Sequence, residues 1–92
     1  MRESAIEKKV CDHAKKKGMA VYKFVSPGHS GVPDRMFIYN GCVCFIEFKA
    51  PGKKPTALQK HEIQAMRSHG VRVAIVDNEE DGIDFINSFA DE

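Results

Sequence analysis

The pair Asn40-Gly41 constrains this chain more than any other feature. It lies within residues 34–49, between two runs rich in aromatic and β-branched side chains. Asn-Gly is the preferred pair for a two-residue type I′ hairpin, because both turn positions take positive φ. A tight turn here sets the strand register. Tyr39 then faces Cys42, Ile38 faces Val43, Phe37 faces Cys44, Met36 faces Phe45 and Asp34 faces Glu47.

The rest of the chain arranges itself around this hairpin. Residues 4–17 read as a helix, with Ser4 as cap, Glu7 at the capping-box position, and Ile6, Val10 and Ala14 at helical spacing. Gly18 ends it after Lys15-Lys16-Lys17, a run suited to the negative end of the helix dipole. Residues 20–25 are rich in strand formers. Residues 26–33 hold two prolines and two glycines and form a loop. A basic loop over 51–55 leads to a second helix over about 57–69, capped by Thr56 with Gln59 at the capping-box position and stopped by Gly70. Residues 71–76 are nearly all apolar and read as a buried strand. Asp77 and Glu80 open a last short helix carrying Ile83, Ile86 and Phe89. The order αβββαβα predicts an α/β fold, a mixed sheet flanked by helices, in a single domain over residues 1–92. Its expected core includes Met36, Phe37, Ile38, Phe45, Ile46, Ile63, Met66, Val73 and Ile75.

Composition excludes several classes. With 42% hydrophobic and 29% charged residues, the chain is neither a disordered tail, a collagen-like repeat nor a coiled coil. No apolar run reaches the ~20 residues of a membrane helix, and the first residues lack an apolar signal core. A soluble, non-secreted protein with no membrane partner is expected. Cys11, Cys42 and Cys44 are odd in number and lack CxxC spacing, which suits reduced thiols; Cys42 and Cys44 share a strand face and read as small buried hydrophobes. The net charge of +1 hides an asymmetry. All 14 Lys and Arg lie in residues 1–76 with only six acids, whereas residues 77–92 carry seven acids and no base. A basic body suggests a polyanionic partner.

Directly opposed carboxylates destabilise a sheet. Asp34 against Glu47 therefore calls for a compensating charge, and opposed Cβ atoms roughly 4.5–5.5 Å apart would let both carboxylates reach one cation. Oxygen ligands of this kind suit Mg²⁺ or Mn²⁺. Lys49 falls on the same face as Glu47, two residues on. Two acids and an amine bordered by Gly/Pro loops suit phosphodiester hydrolysis. The bland alternative, a turn acid and a solvated strand edge, sits badly with Glu47 inside Val43-Cys44-Phe45-Ile46-Glu47-Phe48, where an unpaired carboxylate is costly.

Gly31-Val32-Pro33-Asp34 followed by Glu47-Phe48-Lys49 resembles the PD-(D/E)xK nuclease signature. Residues 23–28, Gly31-Val32-Pro33-Asp34-Arg35, residues 45–52 and Gln59 together resemble the virus-type replication-repair nuclease (VRR-NUC) domain in its stand-alone, phage-like form; the likeness spans about residues 3–77. The resemblance implies a restriction-endonuclease-like fold. It implies that Asp34 and Glu47 bind Mg²⁺ or Mn²⁺ together with the backbone carbonyl of Phe48, that Lys49 is catalytic and that Gln59 supports the site. A helix-1 glutamate usually completes the metal shell. Glu3 and Glu7 share a helix face, and Glu7 is favoured because it shares a helix side with Val10, Cys11 and Ala14; its other reading is a capping-box acid. The resemblance further implies a homodimeric Holliday-junction resolvase that cuts four-way DNA and needs no small-molecule cofactor. The same chemistry on a flap or nicked substrate, and a non-catalytic DNA-binding module, remain rivals at this point. If the chain is phage-encoded, its place is the host cytoplasm. Lys23, Ser26, His29, Arg35, Lys53 and Lys54 border the expected site and are candidate phosphate contacts.

Overall fold

The structure, a computed structural model, describes residues 1–91; Glu92, the last of the C-terminal acids, lies outside the described residues. The elements follow the expected order: α1 (Glu3–Lys16), β1 (Ala20–Lys23), β2 (Arg35–Tyr39), β3 (Cys42–Phe48), α2 (Ala57–Ser68), β4 (Arg72–Val76) and α3 (Glu79–Ala90). The four strands form one sheet in the order β1-β2-β3-β4. β1 to β3 are antiparallel neighbours, while β3 and β4 are parallel, so the sheet is mixed.

The hairpin is as its turn requires. Asn40 and Gly41 adopt φ of 50° and 77°, and the register runs from Tyr39 opposite Cys42 to Arg35 opposite Ile46. Side chains alternate across the sheet, so the register sorts β2 and β3 into two faces. Phe37, Cys44, Ile46 and Phe48 point to one face, where Ile6, Val10, Cys11 and Ala14 of α1 and Ile86 and Phe89 of α3 cover them. Phe45 and Val73 point to the other, under Ile63 and Met66 of α2 and against Phe24 from the loop after β1. The helices are thus divided two and one about the sheet. Burying Phe37 or Phe48, both at 0% exposure, contributes about 1.5–3 kcal/mol each.

Local signals end the helices as expected. At the end of α1 the Gly18 N–H donates to the Lys15 carbonyl and the Met19 N–H to the Ala14 carbonyl; at the end of α2, Gly70 and Val71 donate in the same way to Arg67 and Met66. This paired pattern satisfies carbonyls the helix leaves open. Thr56 and Gln59 form a full capping box on α2.

Five expectations are corrected. α1 begins at Glu3, with extended Arg2 before it and no side-chain cap, so Ser4 lies inside the helix and Glu7 is not a capping-box acid. The helix thus starts one residue earlier than expected, and Ile6, within its first turn, is buried at 1% exposure. α3 opens at Glu79 rather than at Asp77, and is capped by Asn78, whose side chain accepts the Asp81 N–H. Ile75 is 37% exposed, on the edge strand β4. Cys42 is exposed beside the turn, while Cys44, two residues deeper, is buried. β1 is also shorter than expected, ending at Lys23, although one more bond runs from the Phe24 N–H to the Asp34 carbonyl at 2.8 Å. Among the described residues, no helix is long and apolar enough to cross a membrane.

Candidate active site

The site forms where β2 begins and β3 ends, on the face that α2 covers. Asp34 immediately precedes β2 and is tied to β3: its Oδ2 accepts the Phe48 N–H at 2.9 Å. Glu47, next to Phe48, is 2% exposed and is the one buried charged residue among the described residues. Its Oε2 accepts a hydrogen bond from Gln59 Nε2 at 2.9 Å and lies 3.4 Å from Lys49 Nζ. Its Oε1 is buried with no hydrogen-bond partner among the described residues. Such an orphaned carboxylate oxygen is expensive in a folded protein.

The electrostatics follow from this placement. Burial pushes the Glu47 carboxyl up from 4.5 to about 7, and the negative charge of Asp34 pushes the same way. Lys49 opposes both through its charge and its hydrogen bond, and Glu3 adds a smaller upward push. Asp34, Glu47, Lys49 and Gln59, which the sequence analysis placed in one site, are therefore brought together.

Gln59 serves two structures at once. Its Oε1 accepts the Thr56 N–H at 3.0 Å, completing the cap of α2, while its Nε2 holds Glu47. One amide therefore couples the start of α2 to the buried carboxylate.

The helix-1 glutamates separate. Arg35 Nε donates to Glu7 Oε2 at 2.5 Å, and the pair is largely enclosed. Arg35 stands opposite Ile46, whose side chain belongs to the α1/α3 face, so this ion pair lies across the sheet from Glu47. Glu3, in the first turn of α1, is the acid of that helix whose charge reaches Glu47. Glu7, favoured in the sequence analysis, instead neutralises Arg35, and this engages Arg35 too.

The other candidate phosphate contacts divide. Lys23 is exposed but pairs in register with Arg35, on the sheet face away from Glu47. The Ser26 carbonyl accepts the His29 N–H at 3.0 Å within the loop. His29 Nε2 meets Glu62 Oε1 of α2 at 2.7 Å, so it ties the loop to the helix. Lys53 and Lys54 are exposed on the loop after β3, which is anchored by the Gly52 N–H donating to Asp77 Oδ2 at 3.1 Å. Lys60, not singled out from sequence, and Asp77, expected only to open the last helix, line a groove beside this loop. The available signal was the spacing of Lys60 and Arg67, seven residues apart on one stripe of α2.

Among the described residues, no three His, Cys, Asp or Glu side chains are gathered so as to hold a metal ion. The donors that are present are oxygens: the Glu47 and Asp34 carboxylates and the main chain at Phe48. A hard divalent cation fits this set, and it would satisfy Glu47 Oε1, which has no hydrogen-bond partner among the described residues.

No family model matches the chain. It is 43% identical over 81 residues to a protein described as "Putative nuclease p44" from Acyrthosiphon pisum secondary endosymbiont phage 1, covering 87% of each. It also superposes on a solved structure described as a "VRR_NUC domain" with a TM-score of 0.87 and 27% identity, over 95% of this chain and 96% of that one. Sequence relationship, whole-chain superposition and the Asp34, Glu47, Lys49 and Gln59 arrangement agree: this chain belongs to the VRR-NUC family, with its restriction-endonuclease-like α/β fold, in the phage type.

Proposed function

We propose that this protein is a metal-dependent, structure-selective DNA endonuclease, acting as a homodimer on four-way junctions in the host cytoplasm. The observation that carries the nuclease reading is Glu47. It is a 2%-exposed carboxylate at the end of an apolar strand, with one oxygen held by Gln59 and Lys49 and the other without a hydrogen-bond partner among the described residues. A protein retains so unfavourable a group where charge chemistry needs it.

Asp34, Glu47 and the Phe48 carbonyl would hold Mg²⁺ or Mn²⁺, with Glu3 the better placed helix-1 acid because Glu7 is occupied by Arg35. The bound cation would supply Lewis-acid polarisation of the phosphate and a water of lowered pKa. Gln59 orients Glu47. Lys49 Nζ, beside Glu47 Oε2, orients the attacking water or offsets charge developing on the phosphate. Burial of Glu47 keeps bulk water from competing for its oxygens.

The four-way junction follows from the family resemblance. The phage relative supports the nuclease reading through its description alone.

Two measurements test the proposal. Wild type is expected to cut DNA with Mg²⁺ or Mn²⁺, whereas Lys49→Ala and Asp34→Asn lose cleavage and keep most of their DNA affinity. Cleavage surviving both substitutions would refute the catalytic reading. A mobile four-way junction, a flap and plain duplex, cut side by side, test selectivity, and equal cutting of all three would refute junction preference. Sedimentation showing a monomer with and without junction DNA would refute the homodimer.

A further inference from the structure

We infer that a lysine-lined groove between the 51–55 loop, α2 and the end of β4 binds the sugar-phosphate backbone of the DNA strand next to the phosphate being cut. The inference rests on the nuclease reading above and adds to it a place for the flanking strand.

The groove has a volume of about 340 Å³ and is lined by Lys53, Lys54, Pro55, Lys60, Ile75 and Asp77. Its position comes from the register. Ile75 is the direct neighbour of Glu47 in the parallel β3–β4 ladder, so the floor of the groove is one strand over from the buried carboxylate. Lys60 comes from the helix. Arg67 lies on the same stripe of α2 and donates to the Val73 carbonyl at 3.1 Å from Nε and 2.6 Å from Nη2, which pins that stripe along β4. Lys60 is two turns earlier on the stripe and reaches the Ile75 and Asp77 end. It follows Gln59 directly, so one turn of α2 carries both the residue that holds Glu47 and a wall of the groove.

The charges suit a phosphodiester. Three ammonium groups face one carboxylate, and that carboxylate is already engaged: Asp77 Oδ2 accepts the Gly52 N–H and Oδ1 accepts the Asn78 side chain at 2.9 Å. Asp77 thus holds the loop that presents Lys53 and Lys54. None of the three lysines has a salt bridge among the described residues, unlike Lys8, Lys9 and Lys49. Ile75, 37% exposed on the floor, offers an apolar surface for a sugar. A groove of this composition positions a strand without reading its bases.

The test measures DNA binding by fluorescence anisotropy at several salt concentrations, beside cleavage of the same DNA. Lys60→Gln and Lys54→Gln are each expected to reduce the slope of log K against log [salt] by about 0.7–0.9, the loss of one phosphate contact. Lys17→Gln, on the far end of α1, is expected to leave the slope unchanged. An uncharged methylphosphonate scanned outward from the cut site should weaken wild-type binding at one flanking position and have little effect there on Lys60→Gln. An unchanged slope for Lys60→Gln, or an equal loss for Lys17→Gln, would overturn the groove. If wild type cuts DNA while the slopes do not move, the groove fails and the nuclease reading stands. If the slopes move while no metal supports cutting, the groove stands and the nuclease reading fails.

Discussion

Replacing Glu47 by Gln should make the stability of the metal-free protein markedly less dependent on pH. In the folded chain the Glu47 carboxyl is raised from 4.5 to about 7, chiefly by burial and then by Asp34. The folded state therefore holds this proton more tightly than the unfolded state does. Stability from this group is present in full below about pH 4.5 and is lost as pH rises through about 7. At about 1.36 kcal/mol per unit, the loss approaches 3 kcal/mol by pH 8. In a domain this small that corresponds to a shift in Tm on the order of 10 °C or more. The measurement is thermal or urea unfolding of wild type and Glu47→Gln in chelator, from pH 4.5 to 8. Any constant effect of the new amide cancels when the change with pH is compared. The gap between the two proteins should move by about 3 kcal/mol in favour of the variant as pH rises. Parallel curves would refute the claim that Glu47 is held ionised at a cost. Adding Mg²⁺ at pH 8 should then stabilise wild type, by about 2.7 kcal/mol at a hundredfold excess over Kd, and should do little for the variant.

Other perturbations separate roles that the fold combines. Gln59→Glu keeps an acceptor for the Thr56 N–H but sets a like charge against Glu47, so cleavage should fall sharply with helix content unchanged by circular dichroism; Gln59→Ala should also lose about 1 kcal/mol of stability with the cap. Gly82→Ala would place a Cβ 2.5 Å from Val10 Cγ2, where α3 crosses α1, and should destabilise by about 1–3 kcal/mol in denaturant titration. Val10→Ala in that background should recover part of the loss. Glu7→Gln should lower stability by about 1–2 kcal/mol through Arg35, discounted for the partial exposure of the pair, while leaving the Mg²⁺-induced rise in Tm intact. Glu3→Gln should diminish that rise.

Much of the site is legible before folding is considered. The Asn40-Gly41 turn specifies its own backbone conformation, and a two-residue loop leaves one register in which Asp34 meets the strand beside Glu47. Alternation then places Lys49 on the same side. The cap of α2 is equally local, since Thr56 and Gln59 are three residues apart. Even the cost of Glu47 is visible in the apolar strand around it. Local chemistry misled at the ends of elements. Ser4 has the residue type of a cap, yet α1 starts at Glu3, with extended Arg2 before it and no side-chain cap.

Helix packing decided which charges meet. Glu3 and Glu7 lie on one face of α1, but the approach of α1 to the sheet gives Glu7 to Arg35, 28 residues away, and leaves Glu3 within electrostatic reach of Glu47. In the same way, Ile75 reads as core in a run of apolar residues and is exposed because β4 is an edge. Lys60 carries no local signal in the sequence and becomes a groove wall because Arg67 anchors its stripe of α2 to β4. Turns and periodicity are settled by neighbours within a few residues. The partner of a charged side chain is settled by how whole elements cross, since each ion trades the same hydration for whichever opposite charge the packed sheet and helices bring near.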